Sequence, residues 1–308
     1  MSHRMARIER RDKRMSVIRV ALLLLIVLIA IGSVYKLGNS AIIAINKLGR
    51  DIRLVEYGTI EDKLDGKAIV LNQEKMTLAQ YEGHFENMVK ENEKIGKGTL
   101  LGYYVNAQGK ASLRAADSGV FVRHTDGLEE VFKNIDLQAV TPEVFKYKTT
   151  RVSEDQPIQP GQPVYKIVDS LVPTCLLVCF PLNDIQFEIK DQSKVKVLLA
   201  GKELDKATIV EMKQDFGELI ILLKLDSFSD TIINQRYIEV AVVFDSDTGF
   251  LIPENALVEN EGKKGVYCSI GEFTKFKPVD IIKVKGDIVV VKGLDKNDFI
   301  VTNPPDKI

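Results

Sequence analysis

The chain has 308 residues, with 42 Lys and Arg against 43 Asp and Glu, a formal net charge of −1. That balance offers no basic face and so argues against nucleic acid as a partner. Three cysteines are too few for a disulfide-dense scaffold, and the length leaves room for two or three small domains with cores of their own.

Residues 1–16 are short and basic. Through Arg19 the leader sets Arg4, Arg7, Arg10, Arg11, Lys13, Arg14 and Arg19 against Glu9 and Asp12, a net +5. Val20 to Val34, VALLLLIVLIAIGSV, follows without a charge. Extended to residues 17–35, with Arg19 snorkelling, it gives roughly 19 residues and about 28 Å of helix, close to the hydrocarbon thickness of a bilayer. The pattern predicts an uncleaved transmembrane anchor, Val17–Tyr35, in the plasma (inner) membrane. The positive-inside bias leaves the N-terminus cytoplasmic and the body extracytoplasmic. A cleaved signal peptide is the alternative, although the run is long for one and no clear Ala-x-Ala site follows it. With the leader removed, the body carries −6. Residues 36–53 mix glycine with an apolar run at Ala41–Ile45, and read as a juxtamembrane helix or an interfacial linker.

Two stretches echo each other between Leu54 and Asp169. Leu64–Val70 (LDGKAIV) is similar to Ala116–Val122 (ADSGVFV), an acidic, Gly-bearing turn feeding a β-prone run. Each is followed by a polar Gly turn and an apolar run, Glu93–Leu101 in the first case and Ile158–Tyr165 in the second. An internal duplication of strand–turn–strand halves around one shared core is the simplest physical reading. The stretch 74–92 stays open between helix and strand. Leu78, Tyr81, Phe85, Met88 and Val89 fall at helical spacing, yet Phe85, Asn87 and Val89 alternate and Gly83 lies in the middle. A helical insertion is predicted near 128–150, in two pieces split before Pro142 with Thr141 as N-cap.

From Ser170 onward the texture is β. Lys194–Leu199 alternates charge and apolar residues, and Glu218–Asp226 is nearly continuous apolar, as a central strand is. Tyr237–Phe244 places Ile238, Val240, Val242 and Phe244 on one face. Phe273–Val284 and Asp287–Val291 read as strands around a tight Lys285-Gly286-Asp287 turn. Cys175 and Cys179, four apart in an extended run, are about 13 Å from each other, beyond disulfide reach. Both read as buried apolar side chains, with a pairing to Cys268 as the alternative.

This order of modules resembles the HlyD-type membrane fusion proteins, the periplasmic adaptor subunits of efflux and secretion systems. The resemblance runs from about Leu54 to Pro304. Its marks are Asp117-Ser118-Gly119-Val120 leading to Asp126-Gly127-Leu128-Glu129, then Gly161–Asp169 (GQPVYKIVD) and Gly249–Leu257 (GFLIPENAL), with Gly265-Val266-Tyr267 and Val291–Asp298 after them. It implies a mainly β fold behind the N-terminal transmembrane helix. A split biotinyl/lipoyl-like domain would span 54–169, a small β-barrel 170–246 and a C-terminal, membrane-proximal-like β-module 247–308. It also implies an integral-membrane transporter as partner and self-association side by side through the lipoyl-like and barrel modules. The bilayer would be engaged through Val17–Tyr35. One departure stands out: family members commonly insert a long α-hairpin between the lipoyl halves. Here GYYVNAQGK between Leu101 and Ala111 leaves no room for one.

No residue constellation for catalysis, cofactor or metal is found. His3, His84 and His124 have no metal-ligand spacing, and no Cys-x-x-Cys or phosphate loop occurs. Asp117-Ser118-Gly119 is better explained as a turn than as a nucleophile. His124 beside Asp126 is an exposed loop histidine or a pH-sensitive contact. Lys63 and Lys75 lack the flanks of a biotin attachment site and read as solvated lysines. The expectation is a non-enzymatic adaptor that docks on a transporter. A cell-envelope or division-associated scaffold using the same β-modules is the alternative.

Overall fold

The computed structural model describes Ser33 and residues 51–149, 157–271 and 273–304. Apart from Ser33, the expected anchor lies outside the described residues, as do residues 1–16 and most of the 36–53 linker. Among the described residues no helix is long and apolar enough to cross a membrane.

In chain order the strands are β1 (Asp51–Leu54), β2 (Glu56–Leu71), β3 (Glu74–Leu78), β4 (Gly83–Asn87), β5 (Lys94–Ile95), β6 (Leu100–Asn106), β7 (Gly109–Arg114), β8 (Gly119–Val122) and β9 (Pro163–Val168). They continue as β10 (Cys175–Pro181), β11 (Lys194–Leu199), β12 (Lys202–Asp215), β13 (Glu218–Leu225), β14 (Tyr237–Pro253), β15 (Val258–Asn260), β16 (Lys263–Ile270), β17 (Phe273–Pro278), β18 (Asp280–Lys285), β19 (Ile288–Lys292) and β20 (Phe299–Thr302). Contacts divide them between two compact units, residues 60–246 and residues 51–59 with 247–304.

In the larger unit, residues 74–168 build two small sheets, ordered β3-β9-β8-β5 and β4-β6-β7. The open stretch 74–92 holds the two strands β3 and β4 and no helix: Gly83 and Phe85 are buried on β4, whereas Leu78, Tyr81 and Met88, which a helix would place with Phe85, are exposed. The duplication is present in a different register from the one expected. Ala79-x-x-x-Gly83-x-Phe85 repeats as Ala115-x-x-x-Gly119-x-Phe121, and Ile95-x-x-Gly98-x-x-Leu101 as Ile158-x-x-Gly161-x-x-Val164. The hydrogen bonds repeat with it. Gly98 N–H donates to Ala115 O and Gly161 N–H to Ala79 O, both at 2.8 Å. Their φ angles, +84° and +83°, lie in the left-handed region where a Cβ is costly. Phe85 and Phe121 each place a ring 5.8 Å from Tyr165 in the shared core. Leu64–Val70 takes no part in this repeat.

Between β8 and β9 the expected helical insertion is an irregular strap with two 3-10 turns, Leu137–Ala139 and Pro142–Lys146. The split does fall before Pro142, but the Thr141 side chain makes no capping bond, whereas Asp136 caps the first turn through the Gln138 N–H. Leu128, Phe132, Leu137 and Val140 are spread along the strap because all four pack on the outer face of barrel strands.

That barrel is closed: β11, β12, β13, β10, β2 and β14 are neighbours in this order, and β14 pairs back onto β11. Its interior is filled by side chains such as Leu176, Phe180, Val197, Ile209, Ile221, Leu223 and Val242. Strand β13 lies between β12 and β10 as its apolar run predicts. Ile221 and Leu223 face inward while Ile220 and Leu222 lie under the strap, so both faces are covered and the alternation disappears. The segment 64–71, read from sequence with the first domain, pairs with β10. Gly66 is therefore a mid-strand glycine and not a turn residue. A Cβ there would sit 2.7 Å from the Cys179 carbonyl oxygen and 2.7 Å from the Phe180 ring.

In the smaller unit, β1, β20, β16 and β15 form one sheet with β17 on the other side of β16, and the end of β14 pairs with β19, which pairs with β18. Ile252, Val266, Val289, Val291 and Ile300 make the core. The expected strand Phe273–Val284 is two strands, since Pro278 has no N–H to extend a ladder and Val279 turns to bond Lys264 O at 3.1 Å. The Gly286 turn between β18 and β19 is as expected, with φ +56°.

Candidate functional site

The residues weighed for chemistry do not converge. His84 is exposed on β4. His124 Nδ1 lies 3.1 Å from Glu91 Oε1, whereas its expected neighbour Asp126 turns to Arg236. Asp117, beside Ser118, accepts a 2.9 Å hydrogen bond from Lys75 Nζ. That bond lowers the Asp117 pKa and raises that of Lys75. Lys63 is exposed in mid-strand on β2, not at a hairpin tip. Among the described residues no group of three His, Cys, Asp or Glu side chains is placed to hold a metal ion. Cys175, Cys179 and Cys268 are free thiols; the first two are half-buried and only Cys268 is fully buried.

What the structure does bring together is a buried ion cluster within the larger unit. Lys166, on β9, lies 3.2 Å from Glu74 Oε1 on β3 and 3.3 Å from Glu129 Oε1 at the start of the strap. Arg236, at the foot of β14, donates to Glu74 Oε2 at 3.0 Å, to Asp126 Oδ2 at 2.8 Å and to the Val70 carbonyl at 2.8 Å. Glu129 also accepts the backbone N–H groups of Asp126 and Gly127 at 2.8 and 3.0 Å. The side chains of Lys166, Arg236, Glu74 and Glu129 are at most 5% exposed. Burial opposes the charge on Arg236, but Glu74 and Asp126 outweigh it and hold its pKa above the ordinary value. Charges so buried are tolerated only when paired and fully hydrogen-bonded, and among the described residues no buried side-chain nitrogen or oxygen lacks a partner. The cluster ties the two-sheet module, the strap and the barrel strands together. In the sequence, Asp126 to Glu129 and the strand holding Lys166 stand out only as marks of the family resemblance. The available signal was the lysine itself: Lys166 stands amid PVYKIV, where a buried cation demands carboxylates.

A cleft of about 640 Å³ lies on the outside of the barrel, lined by Lys67, Phe145, Lys146, Cys179, Glu218 and Glu239 among others. Cys179 Sγ donates to Glu218 Oε2 at 3.3 Å, and burial together with that carboxylate pushes the thiol up to about 12. It stays protonated at neutral pH and is a poor nucleophile there.

Surface apolar groups are unevenly shared. Of sixteen exposed large hydrophobic residues, eight belong to the smaller unit, which holds only about a quarter of the described residues. Phe273 is 79% exposed there.

Residues 74–169 match the family model described as "RND related, barrel-sandwich hybrid domain". The resemblance to membrane fusion proteins of the RND and efflux type therefore stands on this segment. No curated protein matches the chain. Among solved structures, ZneB from Cupriavidus metallidurans is 10% identical with a TM-score of 0.33, covering 82% of this chain and 92% of its own. MacA from Actinobacillus actinomycetemcomitans is 12% identical with a TM-score of 0.38, covering 81% of this chain and 98% of its own. A MacA–MexA chimera carrying the Pseudomonas aeruginosa MexA α-hairpin domain is 12% identical with a TM-score of 0.33, covering 66% of this chain and 89% of its own.

Proposed function

We propose that this chain is a non-enzymatic, membrane-anchored extracytoplasmic adaptor of the HlyD type, which docks on an integral-membrane transporter and acts by assembly. The observation that carries the reading is the duplicated two-sheet module over 74–169, matched by the RND-related hybrid domain model. A closed barrel follows it, then a β-module rich in exposed apolar residues. The apolar sequence 17–35 behind a +5 leader supports single-pass anchoring in the plasma (inner) membrane with the body outside. Self-association belongs to the same reading, since two-dimensional confinement raises the effective concentration of neighbours.

One feature favours a second reading. The place between the module's halves, where an α-hairpin would project, holds the β6–β7 hairpin with a turn at 107–108. Without a projecting arm the chain suits a short-reach adaptor or a cell-envelope scaffold. Copurification from native membranes in mild detergent separates the two. A polytopic transporter recovered with the full chain supports the adaptor, whereas only wall or division proteins would favour the scaffold.

A further inference from the structure

We propose that the tip of the β12–β13 hairpin and the cleft beside it form a twofold self-docking face, in which Phe216 of each copy enters the cleft of a second copy. This deepens the self-association proposed above and rests on it. Phe216 and Gly217 make the two-residue turn between Asp215 and Glu218, which pair across the hairpin. Their φ angles of +46° and +80° put both in the left-handed region that such a tight turn demands. Two further hairpin turns have the same geometry, and at the position of Phe216 they hold Ala200 and Glu261. A bulky aromatic is a costly choice there, where Asn, Asp or Gly bends with less strain. Phe216 is also 87% exposed, so packing within its own unit does little to offset that cost. A disfavoured backbone conformation presenting a bare aromatic ring points to a contact outside the chain.

The adjoining surface commits the occupant to a second copy. Glu218, two residues beyond Phe216, lines the cleft on the outside of the barrel, as does Pro181, its partner on β10. At about 640 Å³ the cleft has room for an aromatic ring, and Phe145 and Leu198 give it apolar lining. The charges match in both directions. An entering tip brings Asp215 toward the exposed Lys67 and Lys146 of the cleft, and Lys213, 3.5 Å from Asp215, toward its Glu239. Protrusion and recess are neighbours on one chain, so a twofold axis lets two copies exchange rings at once and closes the assembly as an isologous pair.

Phe216→Asn separates the contact from the fold, because asparagine suits the turn. Full-length wild-type and Phe216→Asn chains are reconstituted without other proteins in phosphatidylcholine liposomes. Pairing is followed by energy transfer between fluorescently labelled copies as the protein-to-lipid ratio is varied. The variant is expected to pair at least about tenfold more weakly, the effect of uncovering one large apolar side chain, with an unchanged or raised urea midpoint. Unaltered pairing of Phe216→Asn would overturn this face while leaving self-association through another surface standing. A wild-type chain that never pairs would overturn both. The neighbour of the ring is then read with benzoylphenylalanine substituted at position 216, in an equimolar mixture of isotopically light and heavy chains. Photo-crosslinks joining a light copy to a heavy one should fall in residues 142–146 or 198–201. Crosslinks confined to one copy, made to lipid, or formed only once a transporter is added would assign the ring to another neighbour and overturn the proposal.

Discussion

At the scale of single residues, Lys166 is the side chain on which most depends. Its ammonium lies against Glu74 and Glu129 in a site at most 5% exposed, so Lys166→Met leaves two buried carboxylates short of a counterion. The expected loss is about 3–5 kcal/mol of stability, read as a fall in the urea midpoint. Lys75→Met, which breaks an exposed pair with Asp117, should leave that midpoint almost unchanged. A second pair carries a pH signature. Burial of Asp298 opposes its charge, but bonds from Lys277 and from the Asp295 N–H outweigh it and hold its pKa below the carboxylate norm. Hydrogen bonds to Asp295 and Asp298 raise the pKa of Lys277. The depressed carboxylate stabilises above its ordinary pKa and loses that as pH falls through its folded value. The raised ammonium stabilises below its ordinary pKa and loses that as pH rises through its folded value. The pair therefore acts fully from roughly pH 5 to 9. Lys277→Met should flatten the acid limb of a stability-versus-pH curve. An unchanged limb would assign that limb to other carboxylates.

At the scale of elements, strand faces are where sequence and structure meet most closely. Val242, fully buried in the barrel, and Glu239, exposed three residues earlier, make a direct comparison. Val242→Asp buries an unpaired charge and should cost at least about 3 kcal/mol, whereas Glu239→Lys should be close to neutral. Equal midpoints in a denaturant titration would mean the register is off by one residue. Gly161→Val should impair folding, since a β-branched side chain resists φ +83°. Lys194–Leu199 and Tyr237–Phe244 were legible because a half-buried strand writes its two faces in alternation. β13 was legible as central because both of its faces are covered. The role of Gly66 was not legible: Asp65-Gly66 has the composition of a turn, while the reason for the glycine is the approach of Cys179 and Phe180 from another strand. The true repeat was hidden for a similar reason. Ala79 and Ala115 are defined by which carbonyls and glycines they bond, and their flanking side chains diverge. The ion cluster was the least legible, for its members come from residues 74, 126, 129, 166 and 236, and only folding makes them neighbours.

At the scale of the whole molecule, the proposed function rests on contact and assembly. If residues 17–35 anchor the chain uncleaved, the intact mass of protein from native membranes should include Met1 or Ser2. A mature N-terminus near Ser33 would replace the anchor with a signal peptide. The central claim, that the chain works by assembly at a membrane, is tested most directly by crosslinking in native membranes followed by mass determination of the full-length products. The expected result is a ladder of self-crosslinked species together with a species carrying an integral-membrane transporter. A product that remains monomeric at every crosslinker concentration, with no membrane partner attached, would contradict it.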